Sequence, residues 1–117
     1  MHEPLTASEY KAIAAGLQFP TNAFVDGAFR PANSGQTFTS TNPATGEVLA
    51  EIAACDATDV DAAVAKARQA FDDGRWRLRS PAERKAVLLK LARLLEDNRH
   101  ELAVMESLDS GKPVGEC

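Results

Sequence analysis

Cysteine is scarce in this chain: Cys55 and Cys117 are the only two in 117 residues. So sparse and separated a pair excludes a disulfide scaffold or a zinc knuckle, which need clustered cysteines at short spacing, and both are read as reduced thiols. Histidine is equally scarce. His2 lies in the amino-terminal tail and His100 sits between Arg99 and Glu101, so both are expected to be solvated, and neither is placed by a local motif to act as base for a cysteine. Positive charge is not in excess: 13 Lys and Arg stand against 17 Asp and Glu, a formal net charge of -4. That balance excludes the electrostatic footprint of a protein that binds nucleic acid or anionic lipid. Long apolar runs are missing too, with nothing near the ~20 residues that span a bilayer. Met1 to Glu9 carries acids rather than an apolar leader, so a cytoplasmic location is expected.

What is present is the composition of a globular core, 44% hydrophobic, in a length that gives one domain or part of one. Thr6 and Glu9 have capping-box spacing, and Tyr10, Ile13, Ala14 and Leu17 share one helical face, predicting a short helix that ends by Gly16 and Pro20. Phe24-Val25 and Ala28-Phe29 flank Asp26-Gly27, the pair best suited to the positive φ angles of a two-residue hairpin turn. Two further strands are predicted at Thr37–Thr41 and Val48–Ile52, separated by the turn Asn42-Pro43-Ala44-Thr45-Gly46.

From Asp56 onward the apolar period lengthens to that of a helix, with Val60, Ala63, Val64, Ala67 and Phe71 on one face, Asp56 or Thr58 as cap and Gly74 at the end. Ser80-Pro81-Ala82-Glu83 then supplies an N-cap, a first-turn proline and a reciprocal glutamate before Val87, Leu88, Leu91, Leu94 and Leu95. Asn98 with Glu101 repeats the capping spacing, predicting a third helix through Leu102, Met105 and Leu108 to Gly111. The predicted class is α/β: a helix, a hairpin and short strands, then three amphipathic helices. Their apolar faces ask for more covering sheet than these strands provide, and the chain stops without a terminal cap or charged tail. It reads as incomplete.

Few side chains carry chemistry. Ser110-Gly111-Lys112 has neither the upstream glycine nor the following hydroxyl of a phosphate loop, since Pro113 comes next, and no G-x-G-x-x-G occurs. Cys55 precedes a helix amino terminus, where the dipole favours a thiolate, but a small apolar cysteine is the commoner case. Asp72-Asp73 and Glu96-Asp97 are read as solvated surface. Asp109 falls in the last turn of a helix, against the unfavourable end of the macrodipole, and calls for a compensating charge: Lys112 as a surface pair, or a bound cation.

Phe38 through Glu47 (FTSTNPATGE), Asp59-Val60-Asp61-Ala62-Ala63-Val64, Trp76, Ser80 through Arg84 and Leu108-Asp109-Ser110-Gly111-Lys112-Pro113 together resemble the opening of the aldehyde dehydrogenase superfamily. The resemblance runs from about Phe24 to Pro113 and rests on the order and spacing of the whole set. It implies an enzyme that oxidises a small-molecule aldehyde to the acid with NAD or NADP, homo-oligomeric in its full-length form, of which residues 1–117 are the amino-terminal portion of the NAD(P)-binding domain. In that family a cysteine attacks the aldehyde, an asparagine and a backbone amide hold the oxyanion, and a glutamate activates water. Those motifs are not in this stretch, so no catalytic or cofactor-binding residue is assigned here, and Cys117 is not the nucleophile. The resemblance also implies a structural Na+ or K+ held by main-chain oxygens of Ser40 and Thr41 together with Asp109. The run Trp76 to Pro113 looks nearest to bacterial γ-glutamyl-γ-aminobutyraldehyde and related amino-aldehyde dehydrogenases.

Two functional expectations follow. In one, the full-length protein is an NAD(P)-dependent aldehyde dehydrogenase and residues 1–117 are inert alone. In the other, they are a free-standing interaction module that binds a partner, or full-length subunits, through exposed apolar helix faces.

Overall fold

The computed structural model describes residues 5–117; His2 lies outside them. The elements in chain order are α1 (Ala7–Gly16), β1 (Ala23–Val25), β2 (Ala28–Arg30), β3 (Thr37–Thr41), β4 (Val48–Ala53), α2 (Ala57–Asp72), α3 (Pro81–Asp97), α4 (Arg99–Ser110) and a terminal 3-10 turn, Val114–Glu116. The strands form two separate two-stranded sheets, β1 with β2 and β3 with β4. By contacts the chain divides into two compact units: Met1–Pro20 with Thr39–Ala50 and Arg93–Cys117, and Thr21–Phe38 with Glu51–Ala92.

In the first unit α1 packs on α4, and Val104 is its buried apolar residue, at 4% exposure. The capping box predicted for α1 forms: the Glu9 amide donates to Thr6 Oγ1, and the Thr6 amide donates to the Glu9 carboxylate at 2.7 Å. His100 departs from expectation. It is half-buried rather than solvated, with its ring edge-on to Tyr10 at 6.1 Å between centroids. The reason is tertiary, because α1 lies against the face of α4 that carries it.

Asn98 also departs. It makes no side-chain cap for α4; its amide nitrogen Nδ2 donates backward to the Leu94 carbonyl at 2.8 Å. Only this one residue separates α3 from α4. Its backbone N–H finishes the α3 ladder on Leu94 while its carbonyl accepts from Leu102, leaving it at φ -107°, ψ 14° instead of the extended conformation from which a side chain caps the next turn.

In the second unit the hairpin register is Ala23 with Arg30, Phe24 with Phe29 and Val25 with Ala28. Asp26 and Gly27 both take the positive φ that the turn needs, 54° and 78°. Asp56 caps α2, accepting from the amides of Thr58 and Asp59. Asp59 closes that box and reaches further: its Oδ1 accepts from the Asn33 amide at 3.0 Å, tying the loop around buried Ala32 to the start of α2. At the other end Asp73 stops the helix and Gly74 turns left-handed at φ 78°. Arg77 then donates from Nε to the Phe71 carbonyl at 2.8 Å, an oxygen that also accepts from the Gly74 amide at 3.2 Å.

Ser80 caps α3 in the predicted manner. Its hydroxyl accepts from the Glu83 amide, and its own amide donates to Glu83 Oε2 at 2.8 Å. Hydrogen bonds from the Ser80 hydroxyl and then the Ser80 amide hold the Glu83 carboxyl below its ordinary value. A depressed acid contributes stability above its unfolded-state pKa and loses it as pH falls through the folded one. Loss of the N-cap in Ser80→Ala is expected to cost about 1 kcal/mol at neutral pH, and the difference from wild type should shrink as pH falls below the usual carboxylate range. Denaturant titrations of the intact enzyme at neutral and acidic pH check both the size and the direction.

Candidate functional site

The three residues of the expected cation site all lie in the first unit, where the Ser40 side chain touches Asp109. β3 ends on Ser40 and Thr41, and the chain turns at once through Asn42. Asn42, only 8% exposed, organises that turn. Its side-chain oxygen accepts from the Ala44 amide at 2.9 Å, its amide donates to the Glu47 carbonyl at 2.8 Å, and its carbonyl accepts from Gly46 at 2.7 Å. Pro43 in the same turn abuts the end of α4, where Gly111 closes the helix at φ 76°. A β-carbon at Gly111 would lie 3.0 Å from Pro43 Cγ, so both the left-handed cap and the close approach favour glycine there.

This junction sets Asp109 beside the strand. Ser40 Oγ donates to Asp109 Oδ1 at 3.0 Å across 69 positions of sequence. Lys112 does not compensate Asp109; its Nζ pairs with Glu106 at 3.2 Å. Around it, Ser107 Oγ donates to the Lys112 carbonyl and Ser110 Oγ to the Glu106 carbonyl, each at 2.7 Å, so these hydroxyls serve the helix end. Asp109 thus sits on the negative pole of α4 with a hydroxyl as its neighbour from β3. Ser40 Oγ and Asp109 Oδ1 are both oxygen, the donor type that hard cations prefer. Among the described residues there is no cluster of three or more His, Cys, Asp and Glu side chains that would hold a transition metal.

Cys55 and Cys117 are both free and exposed. Cys117 Sγ faces only the Pro113 and Lys112 carbonyls, at 3.5 and 3.9 Å. Sequence reasoning missed the grouping of Lys66 and Arg75 on Asp26, although the Asp-Gly turn marked one member of it.

The model of the aldehyde dehydrogenase family matches residues 29–117, about three-quarters of the chain. The chain belongs to the aldehyde dehydrogenase family. Aminoacetaldehyde dehydrogenase of Pseudomonas aeruginosa is 68% identical over all 117 residues, which amount to 24% of that protein. Among solved structures, γ-glutamyl-γ-aminobutyraldehyde dehydrogenase of Burkholderia cenocepacia superposes with a TM-score of 0.93 at 47% identity, covering 96% of this chain and 23% of that one. An indole-3-acetaldehyde dehydrogenase of P. syringae, solved with NAD+, gives 0.92 at 43% identity over 97% of this chain and 23% of its own. The element order described above is that of the amino-terminal part of the aldehyde dehydrogenase fold. The chain spans about a quarter of the length of these aldehyde dehydrogenases. As in the resemblance noted from sequence, the Asn42-Pro43 turn and the Leu108–Pro113 motif both fall inside the matched region. No helix among the described residues is long and apolar enough to cross a membrane.

Proposed function

We propose that residues 1–117 are the amino-terminal portion of the NAD(P)-binding domain of an aldehyde dehydrogenase whose substrate is a small amino-aldehyde. The observation that carries this is the 68% identity, running from end to end of the chain, to an aminoacetaldehyde dehydrogenase. The superposition on a γ-glutamyl-γ-aminobutyraldehyde dehydrogenase supports the same substrate class, an aldehyde with a nitrogen a few carbons away. The reaction joins aldehyde, water and oxidised nicotinamide cofactor to give carboxylic acid, reduced cofactor and a proton. The cofactor, NAD or NADP, supplies the hydride acceptor when bound. No side chain of residues 1–117 is assigned to that chemistry.

The contribution of this stretch is structural. Asp59 and Asp56 fix the start of α2, Ser80 and Glu83 fix α3, and the Pro43–Gly111 contact fixes the end of α4. Ser40, Thr41 and Asp109 are proposed to hold a sodium or potassium ion, supported by the 3.0 Å approach of Ser40 Oγ to Asp109 Oδ1, both of the donor type that hard cations prefer. Two free thiols and an acidic composition support a cytoplasmic enzyme. A homo-oligomer is the assembly that the family resemblance implies.

The test is turnover. The 117-residue polypeptide and the product of the uninterrupted reading frame are assayed side by side with NAD+ and NADP+ on aminoacetaldehyde, γ-aminobutyraldehyde derivatives and plain aliphatic aldehydes. Turnover by the longer product alone, with the highest kcat/KM on an amino-aldehyde, is expected. Turnover by the 117 residues themselves, or a preference for plain aldehydes, would overturn the corresponding half of the reading.

A further inference from the structure

The β1–β2 hairpin and α2 lie in one unit and face each other across an open cleft. The helix presents Ala63, Ala67 and Ala70 to the hairpin, and a cleft of about 480 Å³ remains between these alanines and Phe24. Phe24 packs instead on its hairpin partner Phe29, ring centroids 5.1 Å apart, and both rings stay more than half exposed. What does reach across is charge. Asp26, at the turn, places Oδ2 3.3 Å from Lys66 Nζ on α2 and Oδ1 3.7 Å from Arg75 Nη1 just beyond the helix. Arg75 is itself pre-positioned, because Asp73 holds its guanidinium with contacts of 2.6 and 2.9 Å.

We propose that Asp26 is an ionic clasp: it straps the hairpin to α2 through Lys66 and Arg75, and its release by salt opens the cleft between them. The turn requires a residue that tolerates positive φ, which Asn would satisfy as well as Asp. Asp is the choice that adds a charge, and it adds one at the tip of a hairpin only three residue pairs long, where leverage on the strap is greatest. Its side chain is 30% exposed, less than either cation at 45% and 52%, so the carboxylate is partly covered by its partners.

Asp26→Asn separates the clasp from the turn, since Asn-Gly keeps the hairpin geometry and removes only the charge. Hydrogen exchange of the hairpin amides, read by mass spectrometry on the intact protein, is compared at about 0.01 M and about 1 M salt, where the screening length falls from about 30 to about 3 Å. Wild type is expected to exchange two- to tenfold faster at the high salt, the range for loss of one or two partly exposed ion pairs. Asp26→Asn should exchange at that faster rate at both salts. Lys66→Gln should move the rate the same way by less, and the double variant should exchange no faster than Asp26→Asn alone. A wild-type exchange rate in Asp26→Asn, a salt response that survives that substitution, or additive effects in the double variant would each overturn the clasp.

Discussion

Residues 1–117 by themselves are expected to bind a hydrophobic dye strongly and to unfold over a broad range of denaturant with no sharp transition. The cause is the exposure of the helix faces. Val87, Leu88, Leu89, Leu91, Leu94 and Leu95 of α3 are each between 45% and 58% exposed, and neither α2 nor α3 contains a single buried residue. Fully burying a large aliphatic side chain is worth about 1.5–3 kcal/mol, so six left half-covered forgo on the order of 5 to 10 kcal/mol. That is as large as the whole stability of an ordinary domain. Local order does not suffer in proportion, because the capping boxes and hairpin turn are satisfied within a few residues of chain. Helical far-ultraviolet dichroism with a shallow transition and dye fluorescence is the expected signature. A cooperative transition without dye binding would show that the exposed faces are not a deficit.

The same contrast between local and distant interactions explains what could be read in advance. Thr6 with Glu9 and Ser80 with Glu83 are reciprocal pairs three residues apart, a signal short enough to be written entirely in the sequence, whereas Asp56 was one of two caps open for α2 and its reciprocal bond with Asp59 came only with the structure. Asn98 carries the same spacing with Glu101 and yet does not cap, because α3 runs up to it and takes its amide for the preceding turn. Spacing shows that a cap can form; only the geometry of the preceding residues shows whether it does. His100 was misread for a related reason: its sequence neighbours are charged, but its spatial neighbour is Tyr10, ninety positions earlier. The links of Asp26 to Lys66 and Arg75, and of Asp59 to Asn33, bridge 26 or more positions and leave no periodic trace. Ser40, Thr41 and Asp109 were named through family resemblance, and the position of Asp109 at a helix carboxyl end was the one clue that the sequence itself offered.

That clue also shapes the cation prediction. Without a cation, replacing Asp109 by alanine removes two opposing contributions. It relieves a negative charge from the negative pole of α4, worth about 0.3–1 kcal/mol, and it forfeits the hydrogen bond from Ser40, worth about 0.5–1.5 kcal/mol. The variant should therefore lie close to wild type when the intact enzyme is unfolded in tetramethylammonium salts. With sodium or potassium the two should part. A ligand that binds only the folded state adds about 2.7 kcal/mol at a hundredfold excess over its dissociation constant, and Asp109→Ala should gain none of it. Asp109→Asn is the finer probe, because it keeps an oxygen for the Ser40 hydroxyl while removing the charge that a monovalent ion needs. Its response to sodium or potassium should fall most of the way to that of the alanine variant. The assignment fails if wild type responds equally to tetramethylammonium and to the small cations, since that would be general screening. It fails equally if Asp109→Ala keeps the full response. In either case Asp109 would be held by the Ser40 hydroxyl alone, a fixture of the β3–α4 junction with no ion in it.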